Sequence, residues 1–443
     1  MSDAASGKKL PPGSRGLPLL GETLAFAKNP FGFIDGRLAA HGRTFRTSVL
    51  GRDAVVMAGP DAAGQFIDTN DVIRKDSMPP HIQQLFGGPS LPLLDGDEHL
   101  QRKLAVMRGF SSNALAGYLP ILQGATEQAF ARWSTAGEIG WLAEMKRLSM
   151  EAICTTVIGM SPGAEMDQLC RDYGLVTSGF ATLPVSLPGT AYAKALAARD
   201  RILAVLASHV RARRNAPGRD GLSRILVPEA SGPPITDQHA VLELHHIVIA
   251  GYIVFAELAE MVGRLHEHPD VRQRLAAEIA ALAPASLSLE ALAAMPYLAQ
   301  VVSEVKRLCP VVPAIFGRAR HTFTSDGFVI PAGWMVMWPV TPSHTTHGVY
   351  SNPERFDPDR FSPERAEDAR HEHAFVPQGA GAPTGHKCPG LDFATVLMGV
   401  FAVVLLRGHR FDLASSTYER SYDTTPPEPK DGLRAMVVRT TSA

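Results

Sequence analysis

A chain of 443 residues, 45% of them hydrophobic, holds ample material for a core and would by length alone suggest roughly two or three domains. Its formal net charge of -1 gives no electrostatic case for nucleic acid or an anionic membrane surface as partner. The four cysteines (Cys154, Cys170, Cys309, Cys388) have no paired spacing and read as reduced, and the opening MSDAASGKKLPPG lacks an apolar signal or anchor, so a soluble cytoplasmic protein with no membrane anchor is expected.

In chain order, residues 1–10 are polar and predict a disordered tail. Residues 11–23, PPGSRGLPLLGET, are punctuated by proline and glycine and predict an irregular segment. A short amphipathic helix is predicted over 30–40, and alternation over 44–50 and 54–58 around Gly51-Arg52-Asp53 predicts a hairpin. DGDEH at 95–99 opens a basic helical segment in which His99, Arg102 and Lys103 lie within about a turn. Residues 117–215 read as several helices, broken at 159–163 and at 183–189. Phe180, Leu183, Val185, Leu187 and Tyr192 give the second break an apolar character that suits the mouth of a pocket for greasy ligands.

Residues 236–266 read as one helix of about 30 residues, roughly 45 Å at 1.5 Å per residue. Leu244, Ile247, Val248, Ile249, Ile253, Val254, Phe255 and Leu258 make it apolar on more than one face, the mark of a buried helix. A second helix over 295–308 ends at Cys309-Pro310 and carries Glu304 and Arg307 at i, i+3, where they can pair. Short strands are predicted at 323–327, 328–331 and 334–338. A glycine- and proline-rich loop then delivers Cys388 to an apolar run that reaches Leu406. A helix N-terminus favours a thiolate and lowers the thiol pKa. A thiolate in turn is an axial ligand of haem iron. The alternative is a buried, inert cysteine.

Residues 375–391, FVPQGAGAPTGHKCPGL, resemble the haem-binding loop of cytochromes P450, with Cys388 as proximal thiolate and Gly390 two residues after it. The resemblance extends over residues 11–438 and implies that fold: mainly helical with a small β-rich lobe, as a single domain over 11–443 after the tail. It implies haem b as cofactor. His386, His99 and Lys103 match its propionate partners, Lys103 standing where the family has arginine, and Arg318 or Arg320 is a further candidate. It also implies a structural triad of Glu304, Arg307 and Arg360, the last from the segment NPERFDPDRF. Two departures, Gln378 in place of the usual phenylalanine and a longer cysteine loop, are similar to the fatty-acid peroxygenase branch. The N-terminal segment and the 183–189 loop look like the branch that holds retinoic-acid and cyanobacterial members, and the missing anchor resembles the bacterial type.

Ala250-Gly251 corresponds to the part of the distal helix that lies over the haem. Ordinary members follow this pair with an acid and an alcohol that relay protons for heterolytic O–O cleavage. Here the residues that follow are Tyr252, Ile253, Val254 and Phe255. The expected function is therefore oxidation of a small apolar organic substrate, with hydrogen peroxide favoured as oxidant because it already carries both protons and electrons. His246 and Glu257, one turn before Ala250 and one turn after Ile253, are the candidate proton-handling groups. The arginine with which the peroxygenase branch anchors a substrate carboxylate is missing from this stretch. Competing readings are a dioxygen-dependent monooxygenase served by ferredoxin and ferredoxin reductase, a haem-thiolate isomerase or dehydratase, and a haem sensor without turnover.

Overall fold

The computed structural model describes residues 9–18, 20–49, 51–227, 234–284, 286–309, 311–415, 417–422 and 424–440. Most of the expected tail, residues 1–8, lies outside these. Helices dominate, and their limits follow local chemistry. Asn29 caps the helix Pro30–His41 by accepting from Gly32 N at 2.9 Å. Thr236 caps Asp237–Tyr252 through His239 N at 3.2 Å. Pro296 occupies the first turn of Pro296–Leu308, where its missing N–H costs nothing. The break predicted at 159–163 begins at Gly159, which ends a short π-helical turn with φ 71°.

The strands form a five-stranded sheet in the order Thr44–Val49, Arg52–Met57, Met335–Trp338, Ile315–Ala319, Val72–Ile73. Its first pair is the predicted hairpin, with Thr44 opposite Met57. Among the described strand pairs of this sheet, only that of Arg52–Met57 with Met335–Trp338 is parallel. A three-stranded sheet joins Glu138–Gly140, Arg434–Arg439 and His409–Leu413. The helical core is centred on Leu391–Gly408, whose Leu397, Val400, Phe401 and Leu405 are fully buried, with Phe401 packed on Phe130 at 5.3 Å between ring centroids. This helix and the Asp237–Glu267 segment are apolar enough to cross a membrane by composition, but 67% and 78% of their most apolar windows lie inside the fold.

The long helix expected over 236–266 is interrupted. It runs as Asp237–Tyr252 and Phe255–Glu267, with a turn at Ile253–Val254. Ile253 has ψ -6°, which swings the following N–H groups off the i−4 carbonyls; Ala256 N bonds Ile253 O at 3.0 Å instead.

The expected triad is present and fully buried. Arg307 grips Glu304 with Nε to Oε2 at 2.6 Å and Nη2 to Oε1 at 2.8 Å, and Arg360 Nε reaches Glu304 Oε1 at 3.1 Å. A fourth member, Glu367, accepts from Arg360 Nη1 at 2.6 Å. Backbone carbonyls of His344, Arg355 and Ser351 take the remaining guanidinium donors. His344 carries this cluster to the cysteine loop. Its Nε2 accepts from Val376 N at 3.0 Å, which leaves Nδ1–H to donate to Arg307 O at 3.0 Å.

Glu304→Ala leaves two buried guanidiniums short of a counter-charge, and a loss of ~3–5 kcal/mol in denaturant unfolding is expected. Burial, with help from Arg307, pushes His344 down to about 3. An unfolded histidine titrates near ~6.5, so stability from the neutral ring is complete above that pH and is lost as pH falls toward the folded value. His344→Gln is therefore expected to flatten the decline of thermal stability on acidification below about pH 6.5; an unchanged slope would contradict the assignment.

Candidate functional site

One cavity of about 410 Å³ is lined both by the Asp237–Glu267 segment and by the cysteine loop. The loop contributes Pro377, Gln378, Gly379, His386, Lys387, Cys388 and Pro389. Cys388 N donates to Gln378 O at 3.0 Å, which folds the loop back on itself and fixes the cysteine before the Leu391–Gly408 helix. The thiol pKa departs from the sequence expectation. Burial raises it, outweighing the Gly390 backbone N–H and the charges of Lys103 and Lys306, which lower it. A helix start in a desolvated pocket does not by itself make the thiolate; a coordinated metal ion does.

Beside the cysteine, the cavity is rimmed by cation-capable side chains: Arg74, His99, Lys103 and His386. Lys103 Nζ donates to Lys387 O, so its helix Gly96–Arg108 is tied directly to the loop. Burial lowers the Lys103 ammonium to about 8, against an opposing pull from Cys388. The His99 and His386 rings lie 4.1 Å apart between centroids. Burial depresses both, aided at His386 by Arg74, His99 and Lys103 and at His99 most of all by Lys103. Among the described residues, no carboxylate lies within ion-pair distance of Lys103 or the Arg74 guanidinium. Arg102, which shares the Gly96–Arg108 helix, points elsewhere and binds the buried Glu243 at 2.6 Å.

Arg318 and Arg320 do not line the cavity. Arg318 Nε donates to Lys75 O at 3.3 Å, and Arg320 is exposed. Sequence reasoning missed Arg74, which is 5% exposed, stacks over the Phe66 ring at 4.0 Å and is lowered to about 10 by burial. Its segment, Val-Ile-Arg-Lys-Asp, carries no signal of this role. It reaches the site because the short strand Val72–Ile73 pairs with Ile315–Ala319.

The distal wall presents His246, Ile249, Ala250, Ile253, Val254 and Glu257, a helical stripe that is apolar between two polar ends. Gly251 is not in it. A Cβ there would fall 2.4 Å from Ile153 Cγ1, so this glycine serves close packing against the helix Trp141–Ile153. His246 Nδ1 is buried without a hydrogen-bond partner, 3.9 Å from Glu243 Oε2, which leaves Nε2 as the nitrogen open to the cavity. Glu257 is 3% exposed, its Oε2 has no partner, and burial raises its carboxyl against the pull of Lys306.

The residues present fit haem. A single thiol faces an apolar chamber, and a crowd of desolvated cations lacks the two carboxylates that propionate groups would bring.

A family model described as Cytochrome P450 matches residues 11–430. Abscisic acid 8'-hydroxylase 3 of Oryza sativa subsp. indica is 31% identical over 444 residues, 97% of this chain and 87% of that protein. The structure of retinoic acid-bound cyanobacterial CYP120A1 superposes with a TM-score of 0.91 at 28% identity, covering 98% of this chain and all of that one at 100%. Cytochrome P450EX alpha with myristic acid shares the fold, with a TM-score of 0.81 at 22% identity over 98% of this chain and 100% of the other.

If Lys103 holds a haem propionate, Lys103→Met removes one charge-assisted contact to it. Haem loss to a scavenging apoprotein is expected to accelerate roughly tenfold, and an unchanged rate would remove Lys103 from the haem site.

Proposed function

The chain belongs to the cytochrome P450 family, as a haem-thiolate oxidoreductase, and we propose that it oxygenates an apolar, isoprenoid-like molecule with hydrogen peroxide as its oxidant. One observation carries the choice of oxidant. Between Ala250 and Ala256 the distal wall offers no acid and no aliphatic hydroxyl; its cavity-facing side chains there are Ala250, Ile253 and Val254. Dioxygen activation needs protons delivered at that point, whereas peroxide arrives with its own. The substrate class rests on the lining, in which Phe86, Phe180, Ile249, Ile253, Val311 and Val312 make the cavity away from the cysteine loop apolar. Relatives named for abscisic acid and retinoic acid support it.

Bound haem supplies the two-electron oxidising chemistry that converts a C–H bond and peroxide into an alcohol and water. Cys388 Sγ would ligate its iron, and Arg74, His99, Lys103 and His386 would hold its carboxylates. Ile249, Ile253 and Val254 exclude water and would orient the apolar substrate on the distal side of the cavity. His246 Nε2 accepts a proton from one peroxide oxygen and returns it to the departing one, with Glu243 behind Nδ1 stabilising the transient imidazolium. Glu243 also binds Arg102 at 2.6 Å, so the site holds no uncompensated carboxylate at this end.

A second reading, hydroxylation with dioxygen and electrons from a ferredoxin and its reductase, is favoured by the hydroxylase name of the 31% identical relative. Purified holoenzyme assayed on a panel of terpenoids and fatty acids distinguishes the two. Product with peroxide alone is expected. Product only with dioxygen and a surrogate reductase system would overturn the peroxide reading. His246→Ala is expected to lower kcat/KM for peroxide by roughly 100-fold, and unchanged turnover would remove His246 from proton transfer.

A further inference from the structure

Lys306 is the one charged residue of the Pro296–Leu308 helix that the buried ionic cluster does not use. Its neighbours Glu304 and Arg307 are committed to each other and to Arg360. Lys306 is 4% exposed, and its Nζ donates to Gln378 Oε1 at 2.7 Å. Gln378 belongs to the cysteine loop, and its own carbonyl accepts the Cys388 N–H at 3.0 Å. A buried ammonium is thus fastened by a neutral amide to the residue that backs the cysteine. Among the described residues no carboxylate lies within ion-pair distance of it.

A buried ammonium of this kind is disfavoured by desolvation unless an anion lies within reach. Two candidate anions share the neighbourhood: the Cys388 thiolate and Glu257, both of which line the cavity. Glu257 is a weak counter-charge, because burial favours its neutral form. Lys306 itself does not line the cavity, so it cannot contact a substrate or a haem carboxylate there. What remains for its charge is the thiolate.

We propose that Lys306, held in place by Gln378, is a positioning residue that draws charge from the Cys388 thiolate and so raises the reduction potential of the bound haem. Reduction adds a negative charge to the metal site, and a fixed cation in a poorly solvated surround favours the state that carries it. The cation also lessens the electron push of the thiolate. The amide of Gln378 is suited to the tether: it accepts from the ammonium without neutralising it, as a carboxylate would. This role rests on Cys388 being the axial ligand, but not on the choice between peroxide and dioxygen.

The test is a redox titration of the holoenzyme, with the band of the reduced carbon monoxide complex recorded in parallel. Lys306→Met is expected to shift the equilibrium with a redox dye roughly tenfold toward the oxidised protein, about 59 mV for one electron. Lys306→Arg keeps the charge and is expected to stay near the wild type. Gln378→Glu, which pairs the ammonium and does not depend on Lys306→Met folding, is expected to shift the potential in the same direction as Lys306→Met. A thiolate band with an unchanged potential in Lys306→Met, or in Gln378→Glu should that variant alone take up haem, would overturn the proposal. Absence of the thiolate band from the wild type would instead overturn the ligand assignment beneath it. A purely structural lysine would change haem content or melting temperature and leave the potential where it is.

Discussion

Glu304 sits fully buried and receives two donors from Arg307, one from Arg360 and the backbone N–H of Asp357 at 2.8 Å. The shape of the cysteine loop depends on that satisfied charge. A buried ion pair is poor value as stability, since desolvation cancels much of the attraction. Its worth here lies in direction. Arg307 holds the His344 carbonyl at 2.7 Å, His344 returns a bond to Arg307 O, and its other nitrogen accepts from Val376 N–H just ahead of the cysteine loop. Glu367 and the carbonyls of Ser351 and Arg355 complete the guanidinium shells, so the network has no loose end that would let the loop drift.

The loop is held from the other side by charges of a different kind. Lys103 and Arg74 are desolvated cations with neutral partners: a carbonyl for the first, an aromatic face for the second. The ionic cluster is closed by carboxylates of the protein, whereas among the described residues neither Lys103 nor the Arg74 guanidinium has a carboxylate within ion-pair distance. That contrast separates scaffold from site more sharply than sequence position does, since Glu304 and Lys306 are two residues apart on one helix. The first closes a structural network, and the second carries its charge to the cysteine loop.

The distal helix shows a similar division. Gly251 closes on Ile153, and its neighbour Ala250 faces the cavity. Immediately beyond them the helix opens at Ile253–Val254. The polar ends of the cavity-facing stripe, His246 and Glu257, lie in different electrostatic surroundings: one backed by a carboxylate, the other near an ammonium and the thiol. Two groups that read as equivalent candidates in the sequence therefore differ in the chemistry open to them.

The sequence by itself determined the parts that rest on local spacing. Glu304 and Arg307 meet because residues three apart share a helix face, the hairpin from Thr44 follows from alternation around Gly51, and Cys388 follows from the loop that precedes an apolar run. Tertiary structure decided the rest, because burial and distant partners set each outcome. Arg74 enters the site, and Arg318 and Arg320 stay out of it, through the pairing of Val72–Ile73 with a strand more than 240 residues away, Arg318 lying opposite Ile73. His344 and Glu367 join the ionic cluster across loops with no period to read. The Cys388 thiol rises where its place before a helix argued for a fall, because desolvation by the packed protein around it outweighs the pull of a backbone N–H. Spacing along the chain fixes which side chains can share a face, whereas the dielectric and the charges around them exist only once the chain is packed.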